Sequence, residues 1–186
     1  FDGGSGSDSL DYTTATTGVE VTLDTTTLVT TNSITHADTI SGTDSLQNIE
    51  NIIGSNTGDD SLVGDSSDNT FSGLIGDDTL RGAGGDDSLS GGTGSDFIEG
   101  GTGSDIIDGG TGLQDTADFT NEGGVSVTLD TSTVVTAFVA SGSDDTLVNI
   151  ENVIGSDGTV DSIVGDSADN TLSGLGGNDT LRGGTD

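Results

Sequence analysis

The chain of 186 residues contains no cysteine, proline, methionine or tryptophan. Lysine is also absent, and apart from one histidine the only basic residues are Arg81 and Arg182. Zero cysteine excludes a disulfide framework and a thiolate metal site. With 33 Asp and Glu and a formal net charge of −31, the surface repels nucleic acid and anionic lipid and attracts cations. Aromatics make up 3%, which argues against a stacking site for sugars. No stretch reads as a signal peptide or as an apolar run of about 18 residues, so no segment is expected to span a membrane or direct export. Enzyme motifs are missing too. There is no HExxH and no GxSxG, and His36 has no second histidine at metal-ligand spacing. The chain is expected not to be an enzyme. At 28% hydrophobic content, composition alone resembles that of a disordered acidic tail.

Periodicity overturns that expectation. From Ser55 to Asp108 the sequence divides without a gap into SNTGDDSLV, GDSSDNTFS, GLIGDDTLR, GAGGDDSLS, GGTGSDFIE and GGTGSDIID. Position six reads Asp60, Asn69, Asp78, Asp87, Asp96, Asp105, and position eight reads Leu62, Phe71, Leu80, Leu89, Ile98, Ile107. Such register is a repeat architecture. A longer period overlies it: SLQNIENIIGS from Ser45 returns as TLVNIENVIGS from Thr146, 101 residues later. The nonapeptides follow at the same offset, with Asp60 answered by Asp161. The chain thus divides into a first module at 1–108 (β-cap about 12–54, roll 55–108) and a second at 109–186 (β-cap about 118–155, roll 156–186). Both ends interrupt the pattern, which leads to the expectation of a longer array.

The chemistry of the nonamer follows from its residues. Glycine permits positive φ and close backbone approach, so GGxG makes a tight turn whose carbonyls can face one point. A carboxylate at the end of the turn adds a hard oxygen, and Ca²⁺ takes about six to eight oxygens with tolerant geometry. The closing x-U-x triplet is a short strand with its middle side chain inward.

The pattern G-G-x-G-x-D-x-U-x resembles the RTX, or hemolysin-type, calcium-binding repeats of secreted bacterial proteins. The resemblance is strongest over 55–108 and 156–184, with one good copy at 3–11. It implies an all-β fold, a right-handed parallel β-roll (a form of β-helix) with calcium-binding turns, interspersed here with non-calcium β-cap segments. It also implies that two nonamers make one coil, so that like turns stack every 18 residues with Ca²⁺ between them. One edge then carries Asp60, Asp78, Asp96 and, less regularly, Asp115; the other carries Asn69, Asp87 and Asp105. By the same resemblance each ion takes both position-six carboxylates, together with carbonyls from turn positions one and three of one coil and two and four of the next. The carbonyl donors expected are Gly73, Ile75 and Gly76; Gly82, Gly84 and Gly85; and Gly91, Gly92, Thr93 and Gly94. Gly101 and Gly103, Gly110 and Gly112, and Gly174 and Gly177 continue the series. Asp8 belongs to the isolated copy, and Asp161 and Asp179 to the second roll. The strongest sites are expected at Asp78/Asp96 and Asp87/Asp105. Asn69 and Asn170 lack the charge, which makes Asn69/Asp87 weak, and the extra residue before Asp115 requires a bulged turn.

Further expectations concern surfaces and connections. Arg81 and Glu99 share position nine on adjacent strands, as a surface ion pair worth at most ~1 kcal/mol or as two solvated side chains. Phe97 and Ile106 occupy the outward position seven. Val19, Val21 and Leu23, like Val125, Val127 and Leu129, alternate as strands do. A second strand is expected at the Thr-rich stretches bearing Leu28, Val29 and Ile34, and Val134, Val135 and Phe138. Leu46, Ile49 and Ile52, with Leu147, Ile150 and Val153, recur every three residues; extended rungs are preferred to a helical turn because β-branched residues dominate. The function expected is a calcium-dependent structural array in a large secreted or surface bacterial protein, such as an adhesin, surface-layer or filament component. The alternative is an accessory carbohydrate-binding or secretion module of a polysaccharide-modifying enzyme. The resemblance implies type I secretion and folding outside the cell on Ca²⁺ binding. Expected partners are calcium, neighbouring modules, and like chains or surface glycans, with no nucleic acid and no membrane insertion.

Overall fold

Each x-U-x triplet has one apolar side chain to bury and no helical periodicity, so it forms a short strand that hides position eight. The glycines then reverse the chain. The computed structural model describes residues 2–23, 46, 48–112, 114–130, 134–140 and 143–184. Among them there is no helix, and seventeen strands form two sheets. In the first half these are β1 (Ser9–Asp11), β2 (Glu20–Thr22), β3 (Asn51–Ile53), β4 (Ser61–Val63), β5 (Thr70–Ile75), β6 (Thr79–Gly84), β7 (Ser88–Thr93), β8 (Phe97–Thr102) and β9 (Ile106–Gly110). The second half adds β10 (Thr116–Asp118), β11 (Val125–Thr128), β12 (Val135–Val139), β13 (Asp145–Val148), β14 (Asn152–Ile154), β15 (Ser162–Val164), β16 (Thr171–Ser173) and β17 (Thr180–Arg182). The ten-stranded sheet runs β1-β3-β5-β7-β9-β13-β12-β11-β15-β17, and the seven-stranded sheet runs β16-β14-β10-β8-β6-β4-β2.

Pairing within the roll is parallel, and its register is the expected step of 18: Leu62 lies opposite Leu80, Leu80 opposite Ile98, Phe71 opposite Leu89, and Leu89 opposite Ile107. These side chains are at most 1% exposed, and Ile52, Val21, Ala117, Leu147, Val153 and Ile163 extend the same column. The core is one side chain deep from each sheet. The edge left by β8 and β9 is covered by further pairing, β10 on β8 and β13 on β9, both parallel. Only β12 departs, running antiparallel to both β11 and β13. On β12, Ala137 and Val139 are buried while Phe138 points outward, 58% exposed. The first-repeat stretch with Leu28, Val29, Ile34 and His36 lies outside the described residues.

The triplet Leu147, Ile150, Val153 is extended, as preferred: Asn149 at φ 51° turns the chain between β13 and β14, and Asn48 at φ 53° does the same before β3. Ile106 is half exposed on the outer face, and Arg81 Nε meets Glu99 Oε2 at 3.0 Å.

Candidate metal centre

The turns differ in what each glycine is for. At position four the backbone is left-handed, with φ 144° at both Gly76 and Gly94. At position one the need is space. A Cβ on Gly73 would collide with Asp78 Oδ2 and come within 2.6 Å of the Gly91 carbonyl oxygen; on Gly82 it would meet Asp87 Oδ2 and the Gly100 oxygen in the same way. A carboxylate oxygen of one turn and a carbonyl oxygen of the next therefore face a common cradle that only glycine leaves open. Position two is also left-handed in Leu74 (φ 78°) and Ala83 (φ 77°), where later turns use glycine.

Position six builds two hydrogen-bonded ladders. On one edge the N–H of Val19 donates to Asp60 Oδ1 (2.6 Å), Asp60 to Asp78 (2.7 Å), Asp78 to Asp96 (2.8 Å) and Asp96 to Asp115 (2.9 Å). The extra residue before Asp115 is absorbed in its turn, since Ala117 still pairs with Ile98. On the other edge Asn69 donates to Asp87 (2.7 Å) and Asp87 to Asp105 (2.8 Å). In the second roll Val125 donates to Asp161 (2.8 Å) and Asp161 to Asp179 (3.1 Å).

Sequence reasoning missed three members. Asp105 donates to Asp145 Oδ1 (2.8 Å), Asp115 to Glu151 Oε2 (3.0 Å) and Asp8 to Glu50 Oε2 (2.9 Å). The signals were present: Asp145 opens D-T-L-V, a D-x-U-x remnant, and the two glutamates are the same residue of the repeated NIEN. Position five was also overlooked. Asp59 Oδ1 accepts from Asp77 N–H, and Asp77 Oδ1 from Ser95 N–H, each 18 residues on, as a second and exposed ladder.

One oxygen of most inner rungs is left over. Oδ2 of Asp8, Asp78, Asp87, Asp96, Asp105, Asp115, Asp145 and Asp161 is shielded from solvent with no hydrogen-bond partner. Unpaired buried carboxylate oxygens are costly. Burial, reinforced by neighbouring carboxylates, pushes Asp78, Asp87 and Asp145 up to about 7 and Asp96 up to about 6. It likewise raises Asp60, Asp105, Asp115 and Glu151, although each accepts a backbone N–H that pulls the other way.

Not every rung is alike. Asp60 gives both oxygens to protein donors, Oδ1 to Val19 and Oδ2 to Ser55 N–H at 2.7 Å. Asn69 and Asn170 satisfy themselves: Oδ1 accepts from Asp65 or Asp166, and Nδ2 donates to the carbonyl of Glu50 (3.3 Å) or Glu151 (2.9 Å). An amide proton there does what the aspartates leave undone.

The donor set is all oxygen, anionic and carbonyl, without nitrogen or sulfur. That is the chemistry of Ca²⁺, and not of zinc or copper. Among the described residues no three acidic or histidine side chains converge on one point, so an ion held in these cradles draws most of its oxygens from backbone. Asp87→Ala is expected to lose at least one bound calcium and to lower the melting temperature. It removes an orphan oxygen and the acceptor of the buried Asn69 N–H. Asn69→Ala is expected to keep the full ion count. Equal stoichiometry in calorimetric titration of the two variants would refute the pairing of like turns.

A comparison with curated proteins finds no match. The family model of the RTX calcium-binding nonapeptide repeat (four copies) matches residues 55–89, 81–112 and 155–186. Residues 55–112 and 155–186, the segments that carry most of the glycine turns and aspartate ladders, therefore belong to the RTX calcium-binding nonapeptide repeat family.

Proposed function

We propose that the chain is a calcium-dependent structural segment of an extended array in a large secreted or surface bacterial protein, such as an adhesin, surface-layer or filament component, and that it has no catalytic role. The observation that supports this reading best is continuity. Both sheets pass from the first set of nonapeptides into residues 116–154 by parallel pairing, and the aspartate ladders pass with them. An array of this kind resists bending because each rung is fixed to the next by backbone hydrogen bonds. In this reading calcium is held by the 78/96 and 87/105 carboxylates with carbonyls of the intervening turns, and the two units divided near 108–109 behave as one body.

Small-angle scattering in calcium tests it. Nine steps across the ten-stranded sheet at about 4.8 Å give roughly 43 Å along the stacking axis. β11 and β12 add two strands to one sheet between β13 and β15, where the other sheet passes directly from β14 to β16. Two extra spacings of about 4.8 Å on one side of a sandwich about 10 Å thick turn the axis by roughly 50°. The expected particle is single, extended and bent. A broad ensemble of separated lobes would show a joint at 109–118 and defeat the reading.

A further inference from the structure

We infer that β11 and β12 are an insert within a single repeat of the roll, a wedge between Gly124 and Asp145 without which the array would run straight. The inference rests on the reading of the chain as one continuous array, and deepens it by naming the element that sets the bend. Joining Gly124 to Asp145 gives FTNEGG followed by DTLV, ten residues with the acid seventh. The preceding unit, GGTGLQDTAD at 109–118, has the same length and its acid in the same place. The first module has a counterpart. Val19 lies 106 residues before Val125, whereas Asp44 lies 101 before Asp145, so the five-residue difference between the modules falls inside the inserted stretch. Its length varies while the flanking repeats keep step, as connections laid over a fixed scaffold do.

Strand pairing agrees at both joins. β12 is antiparallel to β11 and to β13, so β11 and β13 run in the same direction. β13 lies parallel to β9, and β11 parallel to β15, so one strand could serve where three now stand. The aspartate ladder is interrupted at the same place. Asp145 Oδ1 receives the Asp105 N–H at 2.8 Å, as a position-six residue of the next coil should. The following rung, Asp161 Oδ1, takes its N–H from Val125 at 2.8 Å and not from an aspartate. Val19, which opens the corresponding stretch of the first module, donates to Asp60 in the same way at 2.6 Å. In both modules a valine at the head of the insert stands in for an aspartate. Without the insert the Asp145 N–H would face Asp161, and Leu147, already paired with Ile107, would face Ile163 on its other side. The opposite sheet has no matching addition, because β10 pairs directly with β14 and β14 with β16. The two extra strands therefore act on one side of the sandwich alone.

The test compares the full chain with a variant lacking residues 125–144, each carrying nitroxide labels on introduced cysteines, since the chain has none of its own. One label pair, Ser88→Cys/Thr180→Cys, spans β7 to β17 in the ten-stranded sheet. The other, Thr79→Cys/Thr171→Cys, spans β6 to β16 in the seven-stranded sheet. In the full chain with calcium, six and four strand spacings of about 4.8 Å give separations of roughly 29 and 19 Å. In the deletion variant both pairs are expected at about 19 Å by the same spacing. The variant is also expected to gain β structure on adding calcium, as the full chain does. A deletion variant that gains none overturns the inference, and so does a first pair that keeps its separation of about 29 Å. Broad distance distributions for both pairs in the full chain itself would overturn the one-body reading, and the inference with it.

Discussion

In calcium-free buffer at neutral pH the chain is expected to give the circular-dichroism spectrum of an unordered polypeptide, and millimolar calcium is expected to convert it to β structure. The expectation follows from what the fold must bury. A net charge of −31 accompanies a hydrophobic content of 28%, and the core is only one side chain deep from each sheet. Against that modest gain stand eight aspartates whose Oδ2 is shielded and unpartnered. The penalty for such an ion in a protein interior is on the order of several kcal/mol. Cations binding only the folded state reverse the balance by mass action, by about 2.7 kcal/mol per site when free calcium is a hundredfold above Kd. Magnesium is expected to rescue far less, because its small octahedral shell suits carbonyl-rich turns poorly. A β spectrum that survives thorough chelation, or equal rescue by magnesium, would remove the electrostatic account of folding.

The nine-residue period was enough to place the position-eight column and the aspartates of 60–105, because strand, turn and ladder all repeat with it. It could not reveal which rungs are self-satisfied. Asp60 looks like a ligand by position, yet Ser55 N–H occupies its second oxygen. Asn69 looks like a weakened ligand, yet its amide donates to Glu50. Asp145 was hidden for a different reason. It reaches Asp105 across 40 residues and an antiparallel excursion, so no short period connects them. Glu50 and Glu151 are one methylene longer than aspartate and enter the ladder from a differently shaped turn, a substitution the nonapeptide template does not contain. The alternation of Val125, Val127 and Leu129 does mark a strand with its apolar face inward. Pairing direction, which makes β12 antiparallel, has no signature in that alternation.

Acid is expected to substitute partly for calcium. In the folded, metal-free chain Asp78, Asp87 and Asp145 sit at about 7 and Asp96 at about 6, in each case first because of burial and then because of nearby carboxylates. Glu122 is pushed to about 8 by burial and by Asp145, Asp105 and Glu99. In the unfolded chain these groups return to about 4. Between about pH 4 and pH 7 the folded state therefore holds more protons than the unfolded state, and its stability falls as pH rises. The contribution is complete below the unfolded values and is lost as pH climbs through 6 to 8. Protons and calcium compete for the same oxygens, so calcium affinity should change in the opposite sense, strengthening with pH. Two titrations check this. In buffer stripped of calcium, β signal should be greater at pH 5 than at pH 8; in the second, the calcium concentration for half-maximal folding should fall as pH is lowered over that range, because protons already favour the folded chain. Metal-free β content independent of pH, or a calcium midpoint that does not move, would mean that the buried ladder is already neutralised in some other way. The sign of the shift is decisive because calcium-independent folding held by the apolar column alone would produce neither trend.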